Sequence, residues 1–159
     1  MDREAKRKAL RMITHGVTVC GVKGKLGLNA FTLTWLTQCS FNPPLVALGI
    51  EHASASHKLL EECPVFTINF LGKHQKELAS HFIKPAHTPG EKLKGIGHTL
   101  GANTGCAILD DAIAWVECKV SQIVRGGDHD IVIGEVVEAG CRKEEPALAL
   151  GDTGWFYGG

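Results

Sequence analysis

Three short stretches gather side chains that could do chemistry. The first is Asn29 to Leu45, NAFTLTWLTQCSFNPPL. It is apolar and strand-like, yet Thr32, Thr34, Thr37 and Ser40 do not keep the period of two that a half-wet strand requires. Some of these hydroxyls are therefore expected to serve something other than surface. The second stretch is HASASHKLL, where Ser54 and Ser56 open a predicted helix directly after a predicted strand. Exposed N–H groups and hydroxyls at a helix N-terminus make an anion site. The plainer role is that Ser56 caps the helix, although Leu59 stands where a capping box needs Glu or Gln. The third is GGDHDIVIGEV, Gly126 to Val136, with His129 between two aspartates at the lip of a strand. An imidazole there can have its charge tuned near neutral pH; the plainer role is a solvated turn residue.

Other chemistries lack their signatures. GIGHTLG (Gly95 to Gly101) fails the spacing of the dinucleotide fingerprint and follows no predicted strand. There is no Walker A sequence and no GxSxG elbow. Eight histidines invite a metal, but none forms HExxH or pairs with cysteine at zinc spacing. His74 and His81 are placed to share a helix face, and His52 and His57 straddle a strand-to-helix turn. No metal is expected from these spacings. Six cysteines lie singly, without a CxxC pair, which fits free thiols in a reducing cytoplasm.

The elements that must carry these groups read as mainly β. Asp2 caps a short helix to about Met12, with Ala9, Leu10 and Ile13 as its apolar stripe. Strands are expected over Thr14 to Val22 and over Leu28 to about Ser40, the latter stopped by Pro43 and Pro44. LVALGI (Leu45 to Ile50) is apolar on both faces and reads as a central strand. After the SASHKLLEEC helix, Val65 to Leu71 alternates Phe66, Ile68 and Phe70 against Thr67 and Asn69. KHQKELASHF is helical, with Leu78, Ala79 and Phe82 on one face. Ile83 to Gly105 has no period and reads as loop. A hairpin over AIAWVECKVSQIV and DIVIGEVVEAG turns at Gly126 and Gly127. At least six strands at short spacing favour an antiparallel barrel or sandwich over a βαβ sheet.

The chain of 159 residues sets one domain, 1–159, as the expectation. Apolar residues make up 44%, charged residues 21%, and formal net charge is zero. No basic field argues for nucleic acid or an anionic membrane. The charged N-terminus, with no apolar run behind it, reads as cytoplasmic rather than secreted.

Taken in order, NAFTLTWLTQCSFNPPL, the SxS before a helix, FTINFL and GDHDIVIGEV resemble the flavin-reductase-like, FMN-binding split-barrel proteins. The resemblance runs from about residue 9 to the C-terminus. It implies a Greek-key split β-barrel with a few short helices, which dimerises and holds FMN in a groove near the dimer interface. It implies that Asn29 to Thr37 wraps the flavin, Thr32 and Thr34 giving hydroxyls to the ribityl chain and phosphate, and the backbone near Thr34 and Trp35 facing the ring. Ser54 and Ser56 would hold the phosphate, with Lys84 and Lys92 as candidate cations. His129 would lie near flavin or nicotinamide as the catalytic residue. Trp155 or Tyr157 would cover the pocket. The activity implied is NADH- or NADPH-dependent reduction of flavin. A monooxygenase or another redox protein is the candidate partner. The alternative is a flavoredoxin-like FMN electron carrier without its own NAD(P)H turnover; a flavin or haem module without turnover is a third reading. Zero net charge leans toward small-molecule substrates.

Overall fold

The computed structural model describes residues 1–85 and 87–159. Among the described residues nine strands form two sheets: β1 (Thr18–Gly24), β2 (Gly27–Leu33), β3 (Leu36–Phe41), β4 (Pro44–Glu51), β5 (Val65–Phe70), β6 (His98–Leu100), β7 (Ala107–Leu109), β8 (Ala114–Val124) and β9 (His129–Cys141). The helices are α1 (Arg3–Leu10), α2 (Ala55–Glu62), α3 (Lys76–Ile83) and α4 (Leu150–Thr153), with one 3-10 turn at Glu91–Leu93.

The main sheet has the order β2-β1-β5-β8-β9-β4-β3, and every neighbouring pair is antiparallel. β2 and β3 therefore sit at opposite edges, although only Thr34 and Trp35 lie between them in the chain. So short a link spans roughly ten ångströms at most. The sheet must curl until its two edges meet, yet those edges are not paired. This is the expected split barrel, and the split falls at Thr34–Trp35. The single strand expected over Leu28 to Ser40 is thus two strands belonging to opposite edges. Pro44, expected to end that run, is the first residue of β4, at a position where a missing N–H costs a ladder least.

The barrel buries both faces of its inner strands. On β1, Cys20 and Val22 face the barrel interior with Leu48, Phe66, Ile68, Cys118 and Val132. Val19 joins a second core with Ala79, Phe82, Leu109 and Leu148. On β5, Thr67 and Asn69 do point away from Phe66 and Ile68, but toward β7 rather than water. Thr67 Oγ1 donates to Ala107 O at 2.6 Å, and Asn69 Oδ1 accepts from Leu109 N at 2.8 Å. Two buried polar side chains so clamp the small sheet onto the large one, every polar atom of theirs being satisfied. The region read as loop contains the 3-10 turn and β6. Its order comes from contacts with no sequence period: Glu91 Oε2 accepts from His87 N and Thr88 N, at 2.7 and 3.1 Å. Helix α1 is capped by Asp2 as expected but buries none of its residues. Leu10 and Ile13 of its apolar stripe are exposed.

Candidate functional site

A cavity of about 720 Å³ opens where the barrel splits. β2 supplies Asn29, Phe31 and Thr32; the link supplies Thr34 and Trp35; β4 supplies Gly49 and Glu51; the start of α2 supplies Ser54, Ala55 and Ser56. Lys84, Lys92 and the aromatic run Trp155, Phe156 and Tyr157 close it. Of the residues singled out in the sequence, Asn29, Thr32, Thr34, Trp35, Ser54, Ser56 and Trp155 line this one cavity.

Thr37 does not. It stands on β3 beyond the split and lines a different groove. Between Thr34 and Thr37 the chain crosses from one sheet edge to the other, which separates them. Thr32 is in the cavity, but its hydroxyl donates to Ala79 O at 2.6 Å and so pins α3 onto β2. Only its lone pairs are left for a ligand.

Trp35 is held by its backbone and its ring. Its carbonyl accepts from Gly49 N at 3.0 Å. A Cβ at Gly49 would come within 2.8 Å of the Trp35 ring, so only glycine lets that ring lie on β4. The His129 ring also packs against the Trp35 ring, tilted by 43° with 4.5 Å between ring centroids. The His129 ring is bounded by Asp128 Oδ1, 2.8 Å from Nδ1, and the Tyr157 hydroxyl, 3.0 Å from Nε2. His129 is therefore behind the cavity wall, touching it through Trp35 and Tyr157. Burial, then the carboxylates of Glu51 and Asp128, raise the Tyr157 phenol above its usual value.

The anion end is built by α2. Ser54, not Ser56, is the N-cap, its hydroxyl accepting from His57 N at 3.1 Å. Ser56 sits within the first turn and is buried. The N–H groups of Ala55 and Ser56 find no acceptor among the described residues, as the geometry of a helix start dictates. Lys92 is nearly buried, its ammonium donating to Phe82 O at 3.3 Å, and burial lowers its pKa. The end of α3 and the 3-10 turn bring the candidate cations Lys84 and Lys92 here.

One group was missed in the sequence. Asp130, next to His129, is buried, and its Oδ2 lies 2.8 Å from His57 Nε2 and 3.1 Å from His52 Nδ1. Its Oδ1 accepts from Gly126 N at 3.2 Å. His52 first, with Gly126 and His57 adding to it against burial, holds this carboxyl at about 2. Asp130 thereby ties the strand bearing His129 to the turn bearing Ser56. The pairing spans 73 residues, and no local spacing announces it.

Residues 10–156 match the family model described as the flavin reductase like domain. The chain is 32% identical over 145 residues to the NADH:FMN oxidoreductase of Rhodococcus qingshengii, covering 90% of this chain and 73% of that one. It is 30% identical over 153 residues to the reductase component of 4-hydroxyphenylacetate 3-monooxygenase from Thermus thermophilus, covering 96% and 95%. Among solved structures it resembles a Streptomyces globisporus NADH:FAD oxidoreductase in complex with NAD and FAD fragments. That likeness has a TM-score of 0.80 at 27% identity, over 89% of this chain and 83% of the other.

Proposed function

The chain belongs to the flavin reductase-like family, and from that premise we propose that it is a single-domain NAD(P)H:flavin oxidoreductase that holds FMN in the cavity at the split. One observation carries the reading. The Thr34–Trp35 link and the first turn of α2 share a cavity that has an apolar aromatic wall and a cationic, N–H-rich end. A flavin mononucleotide needs both: a slot for a flat apolar ring and partners for a phosphate.

FMN when bound supplies the hydride chemistry itself. The protein holds and orients. Ser56, with the N–H groups of Ala55 and Ser56, binds the phosphate; the cap at Ser54 keeps that turn in place. Lys84 and Lys92 balance its charge. Asn29 and Thr34 hydrogen-bond the polar chain between ring and phosphate, with Thr32 as acceptor only. Trp35 presents its backbone to the ring, and Trp155 covers it. His129, behind the wall and bounded by Asp128, acts on the nicotinamide of NADH or NADPH through Trp35 and Tyr157, which it backs. No covalent nucleophile or carboxylate pair is needed for such a transfer, and Glu51 is the one carboxylate among the described residues lining the cavity.

Two further parts of the reading concern partners. The protein is a homodimer, its second copy seated on a groove of about 510 Å³ lined by Leu36, Leu45, Val46, Phe70, Val116 and Val136. Its reduced flavin goes to a monooxygenase component, by analogy with the Thermus relative. The setting is the cytoplasm, where reduced nicotinamide is available; all six cysteines are unpaired.

The test is anaerobic mixing of FMN-loaded protein with NADH, then NADPH, while following the visible absorbance of flavin. Bleaching faster than that of free FMN is expected and names the donor. Tight yellow binding without bleaching by either donor would replace the reductase with an electron carrier.

A further inference from the structure

Beside the cavity, and outside it, His52, His57 and Asp130 bring three ligand atoms together. One ligand atom from each lies within 4.8 Å of the others, and Asp130 Oδ2 is 3.1 Å from His52 Nδ1 and 2.8 Å from His57 Nε2. Around them stand Arg125 and Glu61. Arg125 Nη1 is 3.1 Å from His52 Nδ1 and 3.6 Å from Asp130 Oδ2, and Nη2 is 3.1 Å from Glu61 Oε1. Glu61 Oε2 is 3.8 Å from the far nitrogen, Nδ1, of His57.

Nδ1 of His52 and Nε2 of His57 both face Oδ2 of Asp130, at 3.1 and 2.8 Å. With both imidazoles neutral, each N–H can donate to that carboxylate, and Arg125 Nη1, 3.1 Å from Nδ1 and 3.5 Å from Nε2 of His52, lies over the His52 ring. Without those two protons the lone pairs of Nδ1, Nε2 and Oδ2 converge, and converging lone pairs are what a metal ion takes. Tetrahedral zinc, with bonds of about 2.0–2.1 Å, sets its donors roughly 3.3 Å apart. The contacts of 2.8 and 3.1 Å to Asp130 Oδ2 are within a few tenths of that spacing.

We propose that His52, His57 and Asp130 form a binding site for a divalent transition-metal ion of zinc's class, and that the Arg125 guanidinium is the internal cation this ion displaces. Two histidines and one carboxylate match zinc rather than calcium or magnesium, which want oxygen throughout. Glu61 stands toward the outer nitrogen of His57, where a carboxylate orients a metal-bound imidazole. Access is from solvent: the His52 and Arg125 side chains are 51% and 64% exposed, whereas those of His57 and Asp130 are 2% and 3%. Arg125 can therefore swing out while the buried pair stays in place.

The site is tested on the full untagged chain with zinc alone, titrated against a chromophoric chelator. Wild type, Arg125→Ala and His52→Ala are compared, with circular dichroism confirming the fold of each. The readout is metal binding, so it is independent of flavin and of turnover. Wild type is expected to take up one equivalent. Arg125→Ala, freed of an exposed ion pair worth up to about 1 kcal/mol, binds about fivefold tighter. His52→Ala loses the equivalent. Cobalt replacing zinc gives d–d absorption of a four-coordinate ion in wild type. No stoichiometric uptake by wild type, or uptake by His52→Ala equal to that of wild type, overturns the proposal.

Discussion

At the scale of single residues, Ser54 and Ser56 divide one task. The sequence leaves open whether Ser56 caps the helix or meets an anion. The structure gives the cap to Ser54, 3.1 Å from His57 N, and leaves Ser56 buried at the cavity wall. The proposed phosphate role then separates ligands that differ only in phosphate. Ser56→Ala should weaken FMN roughly tenfold, as a lost charge-assisted hydrogen bond of about 1.5 kcal/mol does. Riboflavin binding should hardly change. Titration of both flavins by fluorescence quenching checks this, and equal losses would end the phosphate assignment.

At the scale of elements, stability at the β6–β7 end rests on Glu117 of β8. This carboxylate is buried; Oε2 accepts from Thr104 N and Thr104 Oγ1, each at 2.7 Å, and from Asn103 N at 3.0 Å. Burial pushes its pKa up, but the bonds from Thr104 and Asn103 outweigh it and leave it lowered. A carboxyl lowered in the folded state stabilises fully above its unfolded pKa and loses that contribution as pH falls through its folded value. Glu117→Gln should cost roughly 1–3 kcal/mol at neutral pH. It should also flatten the acid side of the stability curve, below the ordinary glutamate range. Urea melts from neutral pH down to acid check both, and a variant as acid-sensitive as wild type would locate that sensitivity elsewhere.

At the scale of the molecule, the split has two sides. One is the cavity assigned to flavin; the other is the apolar groove between β3, β4 and β8 assigned to a second copy. Leu36 opens β3 directly after Trp35, so one strand start serves both. Leu36→Glu places an unpaired charge in that groove. Sedimentation should show wild type at twice the chain mass and the variant at the chain mass, and a wild-type monomer would remove the dimer.

What the sequence determines by itself is local. Strand alternation, proline and glycine positions and helix caps act within a few residues, so α2, α3, β5 and the β8–β9 hairpin are legible in it. The order of the motifs along the chain carries the family resemblance, and the grouping of Asn29, Thr34, Trp35 and Ser56 is what that resemblance implies. What the fold alone decides is which distant residues meet and which neighbours part. Thr34 and Thr37 are three apart, yet a chain that crosses from one sheet edge to the other puts them on different surfaces. Lys92 lies in a segment with no period, placed by tertiary contacts. His57 and Asp130 gain their chemistry only as a pair, across 73 residues, because β4 pairs with β9 so that Ile50 stands opposite Asp130, and α2 follows β4 directly.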